Sequence, residues 1–233
     1  MTQTTTDPAW ARLLGDCQEE IAALDPHPHY LEAYRREEDR YWRHIPRWLC
    51  EDASRRKIET VLDIGCAYGT LLLFAKALTS CAVYATDFTG VYMSPAVVAK
   101  HDVQFRVNNI ELDPFPWDRR FDAIIFTEVL EHLNFSPVAT LRKIAGLLNT
   151  GGRIYLSTPD ASEWGRVTTY YSSWKEMPWP SEDLRSRVID AHVWQFDEAE
   201  LMEVTAEAGL TVVEFDYAPG AAGRHFNMVL TAA

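Results

Sequence analysis

The chain has 233 residues, with 22 basic and 34 acidic side chains, and its formal charge at neutral pH is −12. This acidity argues against binding to long nucleic acid, because affinity for a phosphate backbone comes from lysines and arginines that release counterions. No apolar run is long enough to span a bilayer, and the initial MTQTTTDP lacks the layout of a signal peptide. We therefore predict a cytoplasmic protein of one domain with no membrane partner.

From about residue 58 onward, short apolar runs alternate with helical patterns. The predicted strands are 60–64, 82–86, 103–107, 123–126 and 153–157, and the clearest helices between them are 71–78 and 137–148. This alternation is typical of a parallel sheet covered on both faces. Gly151 and Gly152 are expected to provide the left-handed stop that ends the second helix.

The C-terminal part of the chain carries clear boundary signals. Asp197 begins a capping box for a helix over 198–208. Two further strands, 211–217 and 226–231, are linked by a short turn that includes Gly220. Because a short link cannot join parallel neighbours, we predict that these two strands are antiparallel.

The glycine-containing segment DIGCAYGT, residues 63–70, is the strongest local signal. The predicted strand breaks at Gly65 into a tight turn, and Gly69 opens a helix without a Cβ, which lets a ligand approach the backbone. The segment lacks the third glycine of the dinucleotide fingerprint, which an NAD-dependent oxidoreductase would carry. Asp63, two positions before Gly65, suits the ammonium of an amino acid better than a pyrophosphate. The pattern favours a nucleoside that bears an amino acid.

Two further polar positions follow neighbouring strands. Asp87 ends the second strand, 24 residues after Asp63, where a carboxylate can accept both ribose hydroxyls of an adenosine. Asn109 and Ile110 follow the third strand, where an amide could read the amino group of adenine. The alternative is that Asp87 and Asn109 are ordinary turn residues.

In order and spacing, five segments resemble the class I S-adenosylmethionine-dependent methyltransferases: DIGCAYGT (63–70), ATDF (85–88), NNIELDPFP (108–116), FDAIIFTEVLEHL (121–133) and LLNTGGRIYLSTPD (147–160). The resemblance implies a Rossmann-like α/β fold, with a mostly parallel seven-stranded sheet and an antiparallel last strand. It also implies S-adenosylmethionine as the cofactor. The residues that it assigns to cofactor binding are Asp63, Gly65, Cys66, Ala67, Gly69, Asp87, Phe88, Asn109, Ile110 and Thr127.

Two aromatic-rich segments lie outside the strand and helix alternation, and we assign both to the covering of a substrate site. Their aromatic residues are Tyr30, Tyr34, Tyr41, Trp42 and Trp48 in the first and Trp164, Tyr170, Tyr171, Trp174, Trp179 and Trp194 in the second. The predicted organisation is a helical lid (1–56), a cofactor-binding core (57–159), a substrate-lid insertion (160–195) and a C-terminal helix with strands (196–233).

The segment Glu128-Val129-Leu130-Glu131-His132 is a candidate metal site. On a helical turn the two carboxylates and the imidazole would point one way, a ligand set that suits Mg²⁺, Mn²⁺ or Zn²⁺. The alternative is a scaffold in which these side chains hold the loop by hydrogen bonds. The segment is similar to the Glu-x-x-Glu-His element of small-RNA 3′-terminal ribose methyltransferases and of ubiquinone-pathway O-methyltransferases. The first similarity implies metal ligation by Glu128, Glu131, His132 and the later His192.

The predicted reaction is O-methylation of a small hydroxylated molecule such as a sugar, nucleoside or natural product. A bound metal would lower the pKa of the attacking hydroxyl. Without metal, His132 or His192 is the candidate general base, and Glu128 completes the predicted catalytic group. N- or C-methylation, ribose methylation at an RNA end and a catalytically inactive partner subunit remain open alternatives. The acceptor atom and the oligomeric state are also open.

Overall fold

The computed structural model describes residues 8–219 and 223–232. Residues 1–7 and the predicted turn residue Gly220 lie outside these described residues. Every helix in the described part of the chain is too short or too polar to cross a membrane.

A seven-stranded sheet with the order β3-β2-β1-β4-β5-β7-β6 organises the described residues. The strands are β1 (Thr60–Ile64), β2 (Ala82–Asp87), β3 (Gln104–Val107), β4 (Phe121–Thr127), β5 (Leu148–Pro159), β6 (Leu210–Ala218) and β7 (His225–Ala232). The pairings among β1 to β5 are parallel, and β7 runs antiparallel to both of its neighbours, β5 and β6. The predicted Rossmann-like α/β fold with an antiparallel last strand is confirmed.

Eight α-helices accompany the sheet in the described residues: α1 (Ala9–Leu24), α2 (Arg35–Tyr41), α3 (Ile45–Arg55), α4 (Thr70–Thr79), α5 (Pro95–His101), α6 (Pro137–Ala145), α7 (Ala161–Trp164) and α8 (Glu198–Glu207). A π-helical turn (Tyr30–Tyr34) precedes α2, and 3-10 turns lie at Leu130–His132, Trp174–Glu176 and Glu182–Arg187. The helix α8 begins with the predicted capping box, because the Glu200 N–H donates to Asp197 Oδ1 at 3.0 Å and the Asp197 N–H donates to Glu200 Oε2 at 3.2 Å.

The predicted end of the helix that starts at Pro137 is wrong. The helix stops at Ala145, and Leu148 already pairs with Phe121 as the first residue of β5. Gly151 has a φ of 75°, but it lies inside β5 rather than at the helix end. The cause is a contact between residues that are distant in the sequence. The Phe121 N–H donates to the Leu147 carbonyl at 2.8 Å, so the residues that the sequence pattern assigned to the end of the helix pair with β4 instead.

The two faces of the sheet carry separate apolar cores, as alternating strand side chains require. In β1, Val61 belongs to a core cluster shared with buried residues of α1, α3 and α4. Its neighbour Leu62 belongs to the opposite cluster, shared with buried residues of α6 and α8. The N-terminal helices therefore form part of the packed fold. The parallel strands carry their carboxyl ends to one edge of the sheet, and that edge holds the site.

Candidate functional site

An open cavity of about 430 Å³ lies where β1, β2 and β4 end. Seven of the residues predicted to bind the cofactor line it: Gly65, Ala67, Asp87, Phe88, Asn109, Ile110 and Thr127. The other three, Asp63, Cys66 and Gly69, do not contribute to its described lining. Asp63 is buried within β1 and Cys66 is buried in the core, so their side chains lie on the interior side of the loop.

The loop after β1 requires glycine at position 65 for two independent reasons. Its φ of +74° is a conformation that side chains rarely adopt, and a Cβ there would lie 2.3 Å from Val129 Cγ2. The N–H groups of Gly65 and Cys66 donate to the Thr86 carbonyl at 2.8 and 3.2 Å. The loop is thus tied to β2 on one side and packed against the Glu128–His132 segment on the other.

Asp87, at the end of β2, faces this loop. Its Oδ2 accepts a hydrogen bond from the Ala67 N–H, and its Oδ1 accepts one from the Thr89 N–H, each at 3.0 Å. Burial raises the pKa of Asp87, and burial together with the Asp87 charge raises the pKa of Asp63 well above its ordinary range. The two backbone donors fix the carboxylate at the cavity wall, and each oxygen keeps a further lone pair for a ligand.

Asn109 has a more local role than the predicted reading of adenine. Its Oδ1 accepts hydrogen bonds from the N–H groups of Glu111 and Leu112, at 2.9 and 3.2 Å. Both lone pairs of that oxygen are therefore engaged, and they cannot also accept from an adenine amino group. That Asn109 and Ile110 contact the adenine remains a prediction.

Glu128 departs from the predicted helical turn. Its φ is +54°, and the 3-10 turn begins only at Leu130, so Glu128 does not share a helical face with Glu131 and His132. Its Oε1 accepts a hydrogen bond from Ser157 Oγ at 2.6 Å, and its Oε2 lies 3.2 Å from His225 Nε2. The expectation of one helical turn that carries all three was wrong, because a left-handed residue redirects the chain before the turn. All three residues nevertheless line the same cavity.

Glu131, His132 and His192 form a cluster, which we call the triad. Each offers one potential ligand atom, and these three atoms lie within 4.8 Å of one another. The Glu131 carbonyl accepts hydrogen bonds from the N–H groups of Val193 and Trp194, at 2.7 and 3.2 Å, and this contact brings the distant His192 to the turn. Three of the four predicted metal ligands thus come together, and Glu128 lies outside this group.

The electrostatics of the triad suit a divalent cation. Glu131 is buried, and its pKa is raised well above its ordinary value by burial and by the Glu128 charge. It accepts a hydrogen bond from Thr158 Oγ1 at 2.9 Å, and no lysine or arginine among the described residues forms an ion pair with it. Burial lowers the pKa of His132 to about 4 and also lowers that of His192, so both imidazoles are neutral at pH 7. One carboxylate without a cationic partner and two neutral imidazoles are a fitting donor set.

Gln195 imposes a condition on this fit. Its Oε1 accepts the Val167 N–H at 2.9 Å, so its Nε2 faces His192 Nδ1, at 3.0 Å. An amide nitrogen only donates, so the neutral ring of His192 carries its proton on Nε2. Metal ligation through His192 Nε2 would require the Gln195 amide to turn over and to give up its contact with Val167.

The predicted aromatic covering of the site is mostly part of the core. Tyr34 and Tyr41 of the N-terminal segment line the cavity, as does Trp164 of the insertion. The buried aromatics are Tyr30, Trp42, Trp48, Trp174 and Trp194, Tyr171 is partly buried and packs against the second core cluster, and Tyr170 and Trp179 are exposed. Most of these rings therefore stabilise the fold, and three of the predicted aromatics reach the site.

His225 is a cavity residue that the sequence analysis missed. It is the first residue of β7, it is buried, and its ring lies between those of Tyr41 and Trp164, with centroid distances of 5.0 and 5.3 Å. It stands 97 positions after its partner Glu128, in no recognisable motif. Only the sheet order, which places β7 beside β5, brings the two together.

A parallel sheet with one antiparallel strand, a glycine loop after β1 and a carboxylate at the end of β2 together define the class I S-adenosylmethionine-dependent methyltransferases. Residues 29–215 match the family described as "Methyltransferase domain", and the chain belongs to this family. The prediction of an S-adenosylmethionine-dependent methyltransferase is thereby confirmed.

Curated relatives match part of the chain. A ubiquinone biosynthesis O-methyltransferase of Xanthomonas campestris pv. campestris is 35% identical over 102 residues, which is 42% of each chain. One from Azotobacter vinelandii is 31% identical over 118 residues, or 48% of each chain. The matched region thus spans less than half the length of these relatives.

Solved structures extend the likeness of the fold to nearly the whole chain. The 1,6-didemethyltoxoflavin-N1-methyltransferase of Burkholderia thailandensis superposes with a TM-score of 0.59 at 17% identity, over 100% of this chain and 94% of that one. The magnesium protoporphyrin IX methyltransferase of Synechocystis PCC 6803 gives 0.61 at 16% identity, over 94% of each chain. At these identities the likeness is one of fold.

Proposed function

We propose that this protein transfers the methyl group of S-adenosylmethionine to a hydroxyl oxygen of a small molecule, with a divalent cation held by the triad. The observation that carries the proposal is a single cavity. Gly65 and Asp87 line it, and so do Glu131, His132 and His192. We call the part beside Gly65 and Asp87 the cofactor end and the part beside the triad the acceptor end. A cofactor pocket and a potential site of hydroxyl activation therefore open into the same space.

The cofactor end supports an adenosine that bears an amino acid. Asp87 is fixed by two backbone donors and keeps one lone pair on each oxygen for the ribose hydroxyls. Tyr34 and Tyr68 face the same cavity, and aromatic faces attract a cation such as a sulfonium. S-adenosylmethionine supplies an electrophilic methyl group when it is bound.

The other end supports an oxygen acceptor. Glu131, His132 and His192 would hold a divalent cation, whose chemistry there is to lower the pKa of a hydroxyl beside it. Thr158 Oγ1 orients the Glu131 carboxylate from outside the triad. The 35% identity to an O-methyltransferase over 102 residues favours oxygen over nitrogen or carbon as the acceptor atom.

Methyl transfer to a panel of vicinal diols tests the proposal. The purified protein is incubated with S-adenosylmethionine and either catechols or nucleosides, in Mg²⁺, Mn²⁺ or excess EDTA, and products are identified by mass spectrometry. We expect an O-methylated product that EDTA and Glu131→Gln both abolish, while S-adenosylhomocysteine still binds. Glu207→Gln, a change of the same type at an exposed helix end, serves as the control.

Two outcomes contradict separate parts of the proposal. Undiminished turnover in EDTA refutes the role of the metal. If S-adenosylhomocysteine binds but no hydroxylated acceptor is methylated, the oxygen acceptor is refuted.

A further inference from the structure

The wall of the cavity contains carboxylates but no cationic side chain of lysine or arginine among the described residues. Glu128, Glu131 and Asp190 all line the acceptor end. The segments outside the described residues, 1–7, 220–222 and 233, also contain no lysine or arginine. They therefore cannot add such a side chain to the cavity.

Three cations that adjoin the lining are committed to acceptors in the protein, whereas Arg187, next to lining residue Val188, is exposed at the surface. Arg224, next to His225, donates its Nε–H to Asp160 Oδ2 at 2.5 Å. Arg166 donates to both oxygens of Glu200, at 2.7 and 2.8 Å. Lys143 approaches lining residue Ile110, but its Nζ donates to the Ile110 and Asp113 carbonyls, at 2.7 and 2.6 Å. An anion in the cavity would have to break these contacts to gain a counter-charge from Arg224, Arg166 or Lys143.

One carboxylate of the cavity lining is also open to solvent. Asp190 has 70% of its side chain exposed, and its Oδ1 lies 3.8 Å from His132 Nδ1. A divalent cation at the triad would leave no excess positive charge, because three carboxylates, of Glu128, Glu131 and Asp190, share that end. The rings of Tyr41 and Trp164 line the same cavity and offer faces that suit a planar or cationic group.

We propose that the acceptor carries no anionic group: the site takes a neutral or cationic hydroxylated molecule and rejects carboxylated, phosphorylated or sulfated ones. This inference rests on the proposed methyl transfer to oxygen and specifies its substrate class. The physical reason is that a like charge placed against carboxylates is strongly unfavourable where no lysine or arginine among the described residues lines the cavity to compensate it. Asp190, which lines the cavity, is exposed and lies beside His132, is the specificity-determining residue.

Three catechols with a similar skeleton and a substituent of different charge test the proposal: 3,4-dihydroxybenzyl alcohol, 3,4-dihydroxybenzylamine and 3,4-dihydroxybenzoate. With saturating S-adenosylmethionine and Mg²⁺, we expect kcat/KM for the benzoate to be roughly tenfold or more below that for the alcohol, and the amine to equal or exceed the alcohol. Asp190→Lys should raise kcat/KM for the benzoate severalfold relative to the alcohol. Asp183→Lys, the same charge change at an exposed position outside the cavity lining, should not.

Calorimetric binding of the same three catechols to the protein loaded with S-adenosylhomocysteine provides a ranking that is independent of turnover. If none is methylated but the amine and the alcohol bind more tightly than the benzoate, the proposed reaction fails and the charge preference stands. Equal affinities, preference for the benzoate or binding of none of the three overturns the charge preference.

Discussion

Replacement of Asp87 is the sharpest test of the cofactor end, because its carboxylate has two roles. Both oxygens accept backbone N–H groups, from Ala67 and Thr89, each at 3.0 Å. In Asp87→Asn, either orientation of the amide therefore points its NH₂ group at a backbone donor. The change also removes the charge and one acceptor for the ribose. Loss of a charged hydrogen bond costs about 2 kcal/mol, so we expect the cofactor Kd to rise roughly thirtyfold.

Calorimetric titration with S-adenosylhomocysteine measures this change, and urea unfolding measures the loss of stability in parallel. The clash with a backbone donor should lower the free energy of unfolding by about 1 to 3 kcal/mol. Asp118→Asn, at an exposed position outside the cavity lining, should alter neither quantity. The reasoning is refuted if Asp87→Asn and Asp87→Ala both bind the cofactor within about threefold of the unmodified protein, a difference of less than 1 kcal/mol.

Two further predictions concern the triad and the N-terminal helices. Gln195→Glu supplies an acceptor for a proton on His192 Nδ1, so its affinity for Mn²⁺, followed by electron paramagnetic resonance, should increase about tenfold; unchanged or weaker binding would contradict the tautomer assigned to that ring. Burial raises the pKa of Glu38 from 4.5 to about 7, so the unfolded state ionises first and the free energy of unfolding should fall as the pH rises between these values. Burial also raises the pKa of Glu111 to about 7, so Glu38→Gln should reduce this fall and Glu37→Gln should leave it intact, as measured by urea unfolding at pH 4.5 and pH 8. The same pH dependence in both variants would show that Glu38 is not one of its sources.

The sequence predicts the features of this protein that depend on neighbours along the chain. The glycine loop, Asp87 and the capping box at Asp197 are all found where local patterns place them, because each needs only a few consecutive residues. Features that depend on sheet pairing were not predictable in this way. The helix that starts at Pro137 ends early because the residues after it pair with β4. His225 lies at the site because the strand order places β7 beside β5.

Glu128 shows why a motif can identify the right residues and still give the wrong geometry. The spacing of Glu128, Glu131 and His132 fits one helical face, but the φ of +54° at Glu128 breaks that face. The same turn of the chain sets Val129 against the glycine loop, where Gly65 leaves room for its Cγ2. One contact therefore couples the cofactor loop to the segment that carries the triad. Any side chain at position 65 would displace Val129. Glycine at this position is therefore required both by the cofactor loop and by the segment that carries Glu131 and His132.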